Sequence, residues 1–108
     1  MYKVVVLGSA KSDVNEIFAW LFRRSMQGAQ SWYDAFDLAI GRLETVADSC
    51  PRLNSPKYRG HDVRHLNFSS PHGRTYMLVF VVLPNEKIVQ VIRVRAPGQR
   101  GVRRRDLK

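Results

Sequence analysis

Thr75–Leu83 reads TYMLVFVVL, nine residues without a charge and rich in β-branched and aromatic side chains. Such a run forms a strand covered on both faces, and so the central strand of a sheet. The chain has 108 residues, enough for one domain that buries roughly two thirds of its unfolded surface without disulfide or metal. With 44% hydrophobic and 25% charged residues it falls among globular rather than disordered chains.

The rest of the sequence supplies that cover. Residues 2–7 (YKVVVL) form a short apolar strand broken by Gly8-Ser9, and Ser9 is a candidate helix N-cap. Over residues 10–27, Val14, Ile17, Phe18, Leu21 and Phe22 follow the i, i+3, i+4, i+7, i+8 pattern of an amphipathic helix, with Gly28 as its stop. Over residues 29–49, Trp32, Ala35, Phe36, Ala39, Ile40, Leu43 and Val46 keep the same period until Pro51. The short link predicts a helical hairpin. Residues 51–60 (PRLNSPKYRG) read as an exposed loop. Two alternating strands, residues 62–68 and 87–95, flank the apolar one, and turn-rich links join all three into an antiparallel meander. The fold class is therefore α+β, ordered β-α-α-β-β-β. An antiparallel sheet carries the two-helix hairpin on one face. Residues 1–97 form the domain. Residues 98–108 read as a basic, mobile tail.

Charge is distributed unevenly. Residues 1–50 hold five basic and six acidic groups, and residues 51–108 hold thirteen and three. One basic half predicts a polyanionic or acidic partner, and arginine, its main cation, suits bidentate phosphate contact. On the last strand Ile88, Gln90, Ile92 and Val94 make the more core-like set, which turns Arg93 and Arg95 to the free face. Arg64 joins them if its parity on the second strand allows. Arg74, Lys57 and Arg59 lie near the rim. Such a groove would hold a phosphate backbone.

Other candidates are weaker. His61, His65 and His72 match no zinc spacing, so no metal or other cofactor is expected. Cys50 reads as a small buried residue at a helix end. His72, in the turn before the central strand, is a candidate acid or base and more simply an exposed turn residue. Trp20 lies off the main stripe, where a bound partner can cover it. A lone cysteine, no membrane-length apolar run and no leader-like start predict a cytoplasmic protein.

The strand YKVVV, the helix opening Ser9-Ala10-x-x-Asp13-Val14-x-x-Ile17, the close Leu43-x-x-x-Ala47-x-x-x-Pro51, Arg64-x-Leu66, Gly73-Arg74-Thr75-Tyr76-x-Leu78-x-Phe80 and Val89-x-Val91-Ile92-Arg93-Val94-Arg95 stand in this order. Over residues 2–97 the chain resembles the RelE/ParE superfamily of type II toxin–antitoxin toxins, the plasmid stabilisation proteins. The resemblance implies a small basic toxin neutralised by an acidic segment of a cognate antitoxin, with Trp20, Arg23 and Arg24 as candidate antitoxin contacts. It implies one of two activities. ParE-like members block DNA gyrase; RelE-like members cut mRNA on the ribosome with basic residues and a C-terminal Tyr or His. Arg64 and Arg93 or Arg95 match RelE-like arginines, and Tyr76 matches a common aromatic position. Where the Tyr or His is expected, the chain reads Ala96-Pro97-Gly98-Gln99. Cleavage needs a base and an acid, and arginine is a poor base. That favours the ParE-like activity, with endoribonuclease as the alternative and a copy that only binds antitoxin as a third.

Overall fold

The computed structural model describes residues 1–71 and 73–96. His72 and the predicted tail lie outside the described residues. The order is β1 (Lys3–Val6), α1 (Gly8–Arg24), α2 (Met26–Val46), short 3-10 turns at Ala47–Ser49 and Pro56–Tyr58, β2 (Val63–Ser69), β3 (Thr75–Leu83) and β4 (Ile88–Arg95). This is the expected α+β order, β-α-α-β-β-β.

The sheet order is β1-β4-β3-β2. β2, β3 and β4 form the antiparallel meander, but β1 runs parallel to β4. The sheet is therefore mixed, not wholly antiparallel. The cause is the path of the hairpin. α2 brings the chain back to the end where β1 began, and the Tyr2 N–H donates to Glu44 C=O there at 2.9 Å. An up-down-up meander started from that end leaves β4 pointing the same way as β1. Parallel neighbours need such a long crossover between them.

The helices cover one face. Trp32, Phe36, Ala39 and Leu43 of α2 pack on Phe68, Tyr76, Leu78, Phe80, Val89, Val91 and Val94. Trp32 stacks on Phe36 (5.8 Å between centroids) and meets Tyr76 edge-on at 5.5 Å. The opposite face has a smaller core. Tyr58, Val63 and Val79 are buried there, with Leu53, Met77, Val81 and Ile92 around them. The segment 51–60, expected to be an exposed loop, thus folds back over that face through Leu53 and Tyr58. It also borders the outer edge of β2, where the Leu53 N–H donates to Val63 C=O and the His65 N–H to Pro51 C=O. Six of its ten residues are exposed, as expected, while Tyr58 is buried and Leu53 half-buried, because these two apolar side chains find the smaller core.

A β-bulge decides which β4 side chains face the helices. Val79 pairs with Arg93 but Phe80 pairs with Val91, so Ile92 is the extra residue. Before the bulge Val89 and Val91 face the helices; after it Val94 does. The expected helix-side set of Ile88, Gln90, Ile92 and Val94 holds only for Val94. Simple alternation fails across an inserted residue.

The helix boundary also moves. The chain breaks at Ser25, which is extended (φ −164°, ψ 117°) and ends α1 while capping α2. Its hydroxyl accepts from the Gly28 N–H at 2.9 Å. Gly28, expected as the stop, lies inside α2. Ser25→Ala is expected to cost about 1 kcal/mol, the usual loss of a serine N-cap, measurable by chemical denaturation. Ser9 is not the cap of α1. Leu7 holds that position, and the Ser9 hydroxyl donates instead to Ile92 C=O at 2.6 Å.

Candidate functional site

β1 stops at Val6, opposite Val91, so residues 92–95 of β4 have no strand on that side. Side chains of α1 take the place of one. Ser9 donates to Ile92 C=O, and Asp13 Oδ2 accepts from the Val94 N–H at 2.9 Å. The other oxygen of Asp13 binds Arg93 Nη2 at 2.9 Å. Asp13 is buried, and burial pushes its carboxyl above the ordinary carboxylate value, against the Val94 hydrogen bond and the Arg93 charge. No reading of charge alone singled out Asp13. The signal was its place on the apolar stripe, three residues after Ala10 and one before Val14.

Arg93 and Arg95 lie on the sheet face away from the helices, as expected. The register sets them in two cross-strand rows, His65–Val79–Arg93 and Asn67–Met77–Arg95. Each row puts an arginine two strands from a polar side chain. The buried His65 Nδ1 and Arg95 Nε meet no hydrogen-bond partner among the described residues. Arginine stays protonated and cannot take a proton, so this face is suited to hold an anion.

Arg64 is not part of that face. It pairs with Phe80, whose side chain is in the helix-side core. Its guanidinium closes the exit of α2. Nη1 donates to Asp48 C=O (2.6 Å) and Cys50 C=O (3.0 Å), while Nε and Nη2 hold the Asp62 carboxylate at 3.0 and 3.3 Å. Only 11% of its side chain is exposed. The three-arginine groove is therefore corrected to a two-arginine face, because Leu66 and Phe68 share Arg64's parity and pull it to the core side. Tyr76 is corrected in the same way. It is buried against Trp32 and Phe68, and desolvation raises its phenol.

The remaining candidates are scattered. Arg59 is exposed beside Tyr58, and Lys57 Nζ stands 5.5 Å over the Tyr58 ring. Arg74 is exposed just before β3. Trp20 (45% exposed), Arg23 and Arg24 lie together at the end of α1, with the Arg24 guanidinium 4.2 Å over the Trp20 ring. Cys50 is buried, which raises its thiol pKa. Among the described residues no group of three or more His, Cys, Asp or Glu side chains could hold a metal, and no helix is long and apolar enough to cross a membrane. No family model matches the chain, and no curated protein is significantly similar to it.

Proposed function

We propose that this chain is the toxin of a type II toxin–antitoxin pair of RelE/ParE type, acting in the cytoplasm by binding and blocking DNA gyrase. The proposal starts from the ordered sequence resemblance over residues 2–97. One observation favours blocking over cutting: Arg64 and Arg93 are on opposite sides of the sheet, each fixed by a carboxylate. A nuclease of the RelE kind would gather them around one scissile phosphate. Arg95, with Arg74, Lys57 and Arg59 at the margins, is left to meet a target, and Trp20, Arg23 and Arg24 to meet an acidic antitoxin segment. The alternative, a RelE-like endoribonuclease using a basic groove on the free sheet face, rests on the row His65–Val79–Arg93, which puts a histidine and an arginine on that face with β3 between them.

Purified chain added to gyrase is expected to inhibit supercoiling while leaving mRNA whole on translating ribosomes. Arg95→Ala is expected to weaken that inhibition about tenfold, the effect of one charge-assisted contact, at an unchanged melting temperature. Codon-spaced mRNA cleavage with unimpaired supercoiling would replace this reading by the ribonuclease one.

A further inference from the structure

A groove of about 600 Å³ runs between α2 and the outer side of β2. Ala35 and Ala39 of α2 and Phe68 of β2 give it apolar walls, and Leu38 stands at its rim, 72% exposed. The strand beside it has an uncovered edge. Residues 51–53 hydrogen-bond β2 at Val63 and His65. Asn67 shares their parity, so its N–H and C=O also point outward, and nothing among the described residues bonds them. An open sheet edge beside an exposed leucine is a surface that a further chain can cover.

The charges on α2 specify which chain. Asp34, Leu38 and Arg42 are spaced four residues apart and share one face of the helix. Opposite charges thus stand about 6 Å along the axis on either side of the leucine. Both are exposed, and neither forms an ion pair among the described residues. Asp34 accepts instead from the Gln30 amide at 3.0 Å. A face that reads negative, apolar, positive is complementary to itself read backwards. Two copies of α2 laid antiparallel about a twofold axis at Leu38 set leucine against leucine, and each Asp34 against the other copy's Arg42. The chain's excess positive charge does not oppose this contact, because residues 1–50, which include α2, hold five basic and six acidic groups.

We infer that two copies of this chain associate through α2, as an antiparallel pair about a twofold axis at Leu38. The leucines and the groove walls supply the apolar centre, and two Asp34–Arg42 pairs fix the register. A contact of about one helix face is small for an interface, so the pair is a weak, reversible one. This surface is separate from the arginine face of the sheet, and the inference does not depend on the toxin reading.

Sedimentation of the full chain at about 0.15 M salt, over concentrations from about 1 to about 500 μM, tests it. A monomer–dimer equilibrium with Kd of about 10–100 μM is expected. Asp34→Arg sets arginine against arginine at both pairs, and Arg42→Asp sets aspartate against aspartate. Each is expected to weaken association about tenfold or more. The two variants mixed in equal amounts are expected to restore it, because every pair across the axis then joins opposite charges. Both positions are exposed, so the variants are expected to melt with the parent. Glu16→Arg, an equal change of charge at an exposed position of α1, is expected to leave association unchanged. A chain that stays monomeric throughout overturns the inference. So does association that survives either reversal at full strength, or a mixture that associates no better than each variant alone.

Discussion

Asp13→Ala is expected to destabilise the fold by about 3 kcal/mol, the range for breaking a buried, hydrogen-bonded ion pair. The substitution removes the acceptor of the Val94 N–H, and it removes one partner of Arg93. Two groups on β4 are affected by one change, at the stretch of edge that β1 does not reach. Asp13→Asn keeps the shape and one acceptor oxygen, so its cost should be less than half as large. The pH dependence separates the two roles of the carboxyl. Burial raises its folded pKa above the ordinary 3.8. The folded state then holds the proton in a window where the unfolded chain has released it. Stability from this group is thus greatest at acid pH and declines as the pH rises from 3.8 through the raised folded value. Denaturation midpoints across that window should show the decline in the parent chain and lose that component in Asp13→Asn.

Arg64→Ala is expected to cost about 2 kcal/mol, by loss of hydrogen bonds between a charged group and partly buried acceptors. The guanidinium joins the exit of α2 to the start of β2 through two carbonyls and one carboxylate. Arg64→Lys keeps the charge but not the planar fork, so it should recover less than half of the loss. Urea unfolding of both variants measures this. If Arg64 were instead a residue of a nucleic-acid groove, both variants would be as stable as the parent and differ only in activity.

The helices and strands were legible in the sequence because each keeps one period over several turns or pairs. The stripe from Trp32 to Leu43 could form only a helix buried on one side, and TYMLVFVVL only an inner strand. What stayed hidden were effects of single residues on register and topology. Ile92 as a bulge residue exchanges the faces of β4 midway, and nothing in KIVQVIRVR marks it. The parallel pairing of β1 depends on where α2 returns the chain, which periodicity does not encode. The boundary at Ser25 is masked by Gly28, since glycine is the stronger local stop signal, yet the serine hydroxyl does the capping. At the candidate site, the free-face placement of Arg93 and Arg95 was legible as parity. Arg64 was open by parity alone, although the apolar Leu66 and Phe68 beside it pointed inward. The role of Asp13 was not legible because its partners, Arg93 and the Val94 N–H, stand on the last strand, across a sheet edge that helical periodicity does not encode.

The most direct test is tightly induced expression of this chain alone in a bacterial host, with mRNA integrity and DNA-damage reporting followed over the first minutes. Gyrase blocking predicts an early damage response while mRNA remains intact, and co-expression of the cognate antitoxin should abolish it. Rapid mRNA cleavage with undamaged DNA would contradict it and assign the arginine face to catalysis. Unimpaired growth with the chain present and folded would contradict the toxin reading as a whole.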